Sequence, residues 1–414
     1  MKSIKILETD RLLLREYTLR DASFIFKLVN TPSWLNFIGD RNVHSVADAK
    51  QFLKNNLMKS YSENGFGLWM VETLNENIPI GMCGLVNRDS LDDIDIGFAL
   101  LPEFEKKGYA FEAAQATIDY ANNTLGLEKI VGITNANNIH SIALLNKLGL
   151  YFKKELQLSE YDIVQLYSPL KKIHVLNGDA LKQQFPSELK GEIIVARECM
   201  VDGSVQGNTL NEIFNNRAKF IYETFDETEV DYYTKTVSEF EKIKSNASHS
   251  EINLWFEDDL FCQVNFWFVI HYILEHKIEA PLYLIRPITL HQYGFGGMNQ
   301  LELQDAYKNK IRINNVKEIG ELWKLFQNEN ISEMIQLSGR LKETYPFILP
   351  AVKALQESIE FERPKKSIKS IITELDTKEF GVVFSEFCKK EAIYGFGDVQ
   401  VKRLFDEVIQ ELEN

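Results

Sequence analysis

The stretch Leu100–Tyr120, LLPEFEKKGYAFEAAQATIDY, constrains the fold more than any other part of the chain. A strand pattern ends at Leu101 and a turn carries Lys106-Lys107-Gly108-Tyr109-Ala110. A helical pattern follows, with Ala110, Ala114, Thr117, Ile118 and Ala121 on one face. The first amides of a helix lack internal partners and point outward, and with the helix dipole they form an anion site. Gly108 lets the backbone come close to a pyrophosphate, and Ala110 is small enough not to obstruct it. Lys106 and Lys107 add positive charge at the rim.

The surrounding sequence alternates strand and helix signals. Strands are expected at Arg11–Glu16, Gly67–Glu72, Pro79–Val86, Asp95–Leu100, Lys129–Thr134 and Tyr161–Tyr167. Helices are expected from Asp21, over Tyr109–Thr124, and over Asn138–Leu148 with Gly149 as its C-terminal cap. This mixed order predicts an α/β domain over residues 1–170. Pro169-Leu170-Lys171-Lys172 reads as a boundary. Beyond it, strands at Ile173–Asn177, Glu192–Ala196, Ile252–Phe256 and Leu282–Arg286 alternate with helices at Thr209–Tyr222 and Asp259–Glu275. That spacing fits a second α/β domain with a small open sheet over residues 171–300. Residues 301–414 read as a mostly helical C-terminal region.

With 414 residues, two or three domains are expected, and 45% hydrophobic content rules out disorder as the main state. The balance of 46 basic against 60 acidic residues gives no basic footprint for a dominant nucleic-acid surface. Cys83, Cys199, Cys262 and Cys388 lie far apart, with neither a CxxC pair nor the spacing of a disulfide framework, so no metal site is assigned. The opening MKSIKILETD lacks the apolar core of a signal peptide, and the longest apolar stretch, Phe266–Leu274, is too short to span a bilayer. A cytoplasmic protein with no membrane partner is expected.

The turn Glu105-x-x-Gly108-x-Ala110 resembles the acetyl-CoA loop of the GNAT acetyltransferases, Gln/Arg-x-x-Gly-x-Gly/Ala, from which Glu105 departs. ETDRLLLRE at Glu8–Glu16, DIGFALLPEF at Asp95–Phe104 and NNIHSIALLNKLGL at Asn137–Leu150 resemble the branch related to ribosomal-protein alanine acetyltransferases. Together these segments cover about residues 7–168 of the chain. The resemblance implies a mixed-sheet GNAT domain that transfers an acetyl group from acetyl-CoA to an amine acceptor, a peptide N-terminus or a small molecule. It places Phe98, Leu100, Lys106, Lys107, Gly108, Tyr109, Ala110 and Asn138 on the donor, with the Phe98–Leu101 backbone facing the oxyanion. The amine must be neutral to attack, which requires a base. Asp95 is the candidate, either directly or through water, and its plainer reading is a solvated strand residue. Ser141 is the candidate partner of the leaving thiol, or else a polar residue supporting the helix end. Leu145 stands where many members carry a tyrosine. Trp34 and Phe37 read as walls of the acceptor cleft or as core. His44 and His140 read as surface residues, and Cys83 as packed.

In the second half, Asn177-Gly178-Asp179 ends one strand and Glu257-Asp258-Asp259 ends another. If the strands are parallel, Asp179, Arg197, Glu198, Glu257 and Gln263 converge on one sheet edge, as a metal or small-molecule site or as helix caps. Residues 173–410 resemble the DUF1835 family with its helical C-terminal portion, a resemblance that supplies no chemistry. Two functions therefore stand side by side. One is an acetyl-CoA-dependent N-acetyltransferase fused to a second domain. The other is a CoA-binding regulatory or scaffold protein whose second domain carries a separate binding or hydrolytic activity.

Overall fold

The computed structural model describes residues 3–159, 162–225, 227–287 and 294–413. The chain divides into two compact units, Met1–Leu170 and Lys171–Asn414.

The first unit carries strands β1 (Lys5–Glu8), β2 (Leu12–Arg15), β3 (Leu68–Thr73), β4 (Pro79–Val86), β5 (Ile94–Leu100), β6 (Ile130–Thr134), β7 (Leu150–Ser159) and β8 (Asp162–Pro169). Its helices are α1 (Ala22–Val29), α2 (Pro32–Phe37), α3 (Val46–Phe52), α4 (Met58–Asn64), α5 (Tyr109–Asn123) and α6 (Ile139–Lys147). The sheet order is β1-β2-β3-β4-β5-β6-β8-β7, antiparallel except for the parallel β5–β6 pair. Alternation along the strands builds two cores, because successive side chains face opposite sides. Trp69, Val71, Cys83 and Leu85 pack with Ala113, Ala114 and Ala121 of α5. Met70 and Met82 face the other way, onto Ile25, Leu28, Trp34 and Leu57 from the α1–α4 side.

The expected strands and long helices of this unit form, with ends shifted by one or two residues; Tyr161 of the expected last strand lies outside the described residues. Two strands, β1 and β7, and the helices α2–α4 were not anticipated. The segment between α3 and α4 is a π-helical turn, Leu53–Leu57. Its period differs from that of the flanking α-helix and obscures a single apolar stripe.

The second unit holds a five-stranded sheet of β9 (Lys171–Leu176), β10 (Glu192–Val195), β11 (Ser250–Trp255), β12 (Leu282–Ile285) and β13 (Ile311–Arg312), in the order β10-β9-β11-β12-β13. The first four are parallel and β13 is antiparallel. Helices α7 (Asp179–Gln183), α8 (Leu210–Phe225), α9 (Glu229–Tyr232), α10 (Ser238–Asn246) and α11 (Leu260–Glu275) connect the strands. They are followed by α12 (Gln300–Lys308), α13 (Val316–Gln327), α14 (Ile331–Leu341), α15 (Ile348–Phe361), α16 (Arg363–Leu375), α17 (Phe380–Lys390) and α18 (Asp398–Glu413). Helix α11 is buried from Leu260 through Ile273 apart from Phe261, as suits a helix apolar on every side. It packs against α13 and α15. One apolar core runs from Ile173 through Val408, so residues 171–300 and 301–414 share an interior rather than having one each. No helix among the described residues is long and apolar enough to cross a membrane.

Candidate active site

Strands β5 and β6 pair only at Ile94↔Ile130 and Asp95↔Val131. Beyond Asp95 they diverge, while β5 keeps its ladder with β4 from Val86↔Asp95 to Gly81↔Leu100. One edge of β5 from Ile96 onward is therefore left without a neighbouring strand, and its peptide groups are available to a ligand. A cleft of about 1250 Å³ opens there.

The expected site residues Asp95, Phe98, Leu100, Lys106, Gly108, Ala110, Asn138 and Ser141 all line this cleft. Lys107 and Tyr109 do not. The Lys107 ammonium lies 5.3 Å from the Phe104 ring centre, and Tyr109 lies beneath the Arg11 guanidinium at 4.6 Å. Their side chains fasten the loop instead of facing its mouth.

The loop turns sharply, with Lys106 at φ +58° and Gly108 at φ +84°. Left-handed backbone suits glycine, which has no Cβ to clash. Gly108 is also the N-cap of α5, and no side chain caps this helix end. The opening amides of α5 thus remain available to an anion. That is the fit a pyrophosphate-bearing donor requires.

A bracket missed in the sequence holds the loop from behind. Glu112, in the first turn of α5, accepts from the Thr9 hydroxyl (2.5 Å), the Arg11 amide (3.0 Å) and Arg11 Nε (2.6 Å). Arg11 Nη1 in turn donates to the Lys107 carbonyl (3.2 Å). These partners lie about a hundred residues apart in the chain, so their signal was only that Arg11 and Glu112 carry opposite charges.

Asp95 is 1% exposed. Arg88 Nε donates to its Oδ1 at 2.9 Å. Burial pushes the carboxyl above its ordinary range, against the opposing pull of Arg88. It is therefore not a freely solvated strand residue. Asn138 caps α6 by accepting from the Ser141 amide at 3.1 Å, and the Ser141 hydroxyl has no partner among the described residues. Leu145 is buried, with Gly132 close against it, and does not line the cleft.

The opposite wall comes from α2–α4 and their π turn, with Trp34, Phe37, Asn55, Asn56, Lys59 and Glu63. Trp34 is both wall and core. His140 is exposed at the cleft, and His44 is exposed beside Asp40. Cys83 is packed against the Thr117 hydroxyl, its thiol pushed up to about 12 by burial.

In the second unit the strand ends gather the expected residues only in part. Asp179 and Arg197 form a two-toothed pair at 2.5 and 2.7 Å. Glu198 instead turns into the core, where it meets fully buried Arg217 at 2.8 Å and the Tyr232 hydroxyl at 2.5 Å. Beyond the end of β10 at Val195 the chain turns, leaving Arg197 at the strand ends with Asp179 while the Glu198 side chain enters the core. Gln263 Nε2 donates to the Glu257 carbonyl at 2.7 Å.

Comparison with known proteins bears on the first unit. A family model described as an acetyltransferase (GNAT) domain matches residues 11–151. The uncharacterized N-acetyltransferase YoaA of Bacillus subtilis is 31% identical over 157 residues, covering 38% of this chain and 87% of YoaA. The uncharacterized N-acetyltransferase p20 of Bacillus licheniformis is 31% identical over 162 residues, covering 38% of this chain and 88% of p20. The solved structure of the ribosomal-protein-S5-alanine acetyltransferase of Vibrio fischeri is 22% identical over 40% of this chain and 95% of that one, with a TM-score of 0.35. A strand pair that parts beyond Asp95, a glycine loop and an uncapped helix start, on a chain with these relatives, identify it as a member of the GNAT N-acetyltransferase family, an enzyme whose acyl donor is acetyl-CoA.

Proposed function

We propose that the first unit transfers the acetyl group of acetyl-CoA to a primary amine, a protein N-terminus or a small molecule, with Asp95 as base and Ser141 as the thiol's hydrogen-bond partner. The observation that carries this is the single cleft lined at once by Asp95, the freed edge of β5, the Gly108 loop and Ser141.

Lys106 and the amides that follow Gly108 hold the pyrophosphate, and Asn138 faces the pantetheine arm. The amine enters from the Trp34 and Phe37 side and loses a proton to Asp95, directly or through one water. Its lone pair attacks the thioester carbonyl, and the developing oxyanion takes a hydrogen bond from the Phe98–Leu100 backbone. As the carbon–sulfur bond breaks, the thiolate leaves with a hydrogen bond from Ser141. We assign the enzyme to the cytoplasm, where free thiols such as its four cysteines persist. The second unit we assign, on resemblance, to a DUF1835-like domain.

The test is release of free CoA thiol from acetyl-CoA, measured against a panel of N-terminal peptides and small amines. Acceptor-dependent release supports the reading. Tight acetyl-CoA binding without release to any amine in the panel would favour a CoA-binding regulatory protein.

A further inference from the structure

In the second sheet the strand order reverses between β9 and β11: the chain leaves β9 for β10 on one side and returns to β11 on the other. Such a reversal opens a crevice at the carboxyl ends of the strands, where open α/β sheets bind ligands. Asn177 follows β9 at this point, and Glu257, Asp258 and Asp259 follow β11 and lead into α11. Glu257, Asp259 and Cys262 each bring one donor atom within 4.8 Å of the others.

The charge balance is uneven. Asp179 is paired with Arg197, Glu198 with Arg217, and Asp258 with Arg286. Glu257 and Asp259, both partly buried, have no cationic partner among the described residues. Adjacent carboxylates removed from water without a counter-charge are unfavourable.

A separate feature points to a ligand. Gln263 is fully buried and its amide lies against Glu257, yet its Oε1 has no hydrogen-bond donor among the described residues. The donor atoms are also oriented from outside. The Phe295 amide donates to Glu257 Oε1 (2.5 Å) and the Cys262 amide to Asp259 Oδ1 (2.9 Å). Asn177 Nδ2 donates to Cys262 Sγ (2.9 Å), and Asn177 is itself held by Asn265 (2.8 Å). Each carboxylate keeps its second oxygen for the cluster, and the Cys262 thiol reaches Glu257 Oε2 at 3.4 Å. Gly294 at φ +53° and Gly395 at φ +63° press their backbones against Glu257 and Asp259, where any Cβ would collide with the carboxylates.

We propose that Glu257, Asp259 and Cys262 bind a divalent transition-metal ion, Zn²⁺ foremost, in a site separate from the acetyl-transfer cleft. Two hard oxygens and one soft sulfur suit a borderline cation better than Mg²⁺ or Ca²⁺. Three protein donors leave a fourth position for water, as in metal sites that bind substrates. The cysteine spacing in the sequence had assigned no metal, because this site takes one cysteine and two carboxylates.

The test uses the full-length protein, stripped with a chelator and titrated with Zn²⁺ by calorimetry and with Co²⁺ by absorption. We expect one Zn²⁺ per chain and a near-ultraviolet thiolate-to-cobalt charge-transfer band. Cys262→Ser should abolish the band and leave acetyl transfer unchanged, and Glu257→Gln, which removes a charged ligand, should weaken Zn²⁺ by at least the roughly ten- to hundredfold that loss of an outer-shell partner costs. Circular dichroism checks that each variant is folded. If Cys262→Ser fails to fold, the wild-type band together with the Glu257→Gln titration decides the matter. A wild-type protein with no thiolate band, a band that survives Cys262→Ser, or wild-type Zn²⁺ affinity in folded Glu257→Gln overturns the proposal.

Discussion

The two sheets open in opposite ways. Between β5 and β6 the first sheet gives up its ladder after Asp95↔Val131, and the groups offered to a ligand are largely peptide amides. The second sheet keeps its ladders to the strand ends, pairing Leu176 with both Val195 and Trp255, and Trp255 with Ile285. Its polar groups are side chains in the turns that follow. A backbone site needs a few small residues and tolerates variation around them. A side-chain site depends on the identity of each residue and on how charge is balanced beneath it.

The largest effect is expected where the first cleft depends on a side chain after all. Asp95→Asn should lower kcat about 10²–10⁴-fold, the usual worth of a general base, with acetyl-CoA affinity unchanged. Because burial holds Asp95 above the ordinary carboxylate range, the wild-type rate should rise with pH through that raised value. The limb should vanish in Asp95→Asn. It should move to higher pH in Arg88→Gln, which removes the cation that favours the charged form. A pH–rate profile unaltered by either change would break the contrast by removing the side chain from the chemistry.

Charge balance in the second unit gives the next effect. Arg217→Met leaves Glu198 buried without its partner and should destabilise the fold by about 3–5 kcal/mol, read from denaturant midpoints. A loss below about 1 kcal/mol would mean that this interior is more hydrated than its burial implies.

The backbone site is tested by Gly108→Val. A β-branched residue is strained at φ +84° and sits where the phosphates approach. Strain and lost phosphate contacts together predict acetyl-CoA binding weaker by about a hundredfold in calorimetry. An unchanged affinity would show that the loop holds its ligand through Lys106 instead.

The smallest effect sharpens the same point. Glu105 lines the cleft beside the phosphate loop, and Glu105→Gln removes a like charge worth less than about 1 kcal/mol when screened by water. Acetyl-CoA should bind up to about fivefold tighter, most clearly at low salt. Weaker binding would make Glu105 a contact residue.

What was legible in the sequence follows the same division. Gly108 before an alanine-rich helix, and the strand ending at Leu100, declare themselves locally because backbone conformation is a local property. The Arg11–Glu112 bracket depends on partners about a hundred residues apart, and nothing in either neighbourhood names the other. The π turn at Leu53–Leu57 hid the cleft wall built by α2–α4 by breaking a helical period. Glu198 was misplaced because its side chain takes the inward side of its turn, which only the position of Arg217 decides. Asp259 and Cys262 carried a readable signal, since a helix N-cap and the residue three positions on lie together, but that signal is silent about Glu257.

The burial of α11 has a consequence for synthesis. This helix is apolar on all sides, and the elements that cover its outer face, α13 and α15, come later in the chain. Helix α15 ends at Phe361, roughly 90 residues after α11, which at about 5–20 residues per second leaves some 4–18 s of translation. Phe214 and Phe240 of the earlier helices α8 and α10 already meet Phe268, but the side of α11 that α13 and α15 cover stays open until each of them is made. The second unit therefore matures late, and chains cut short before α15 are natural clients for chaperones and proteases.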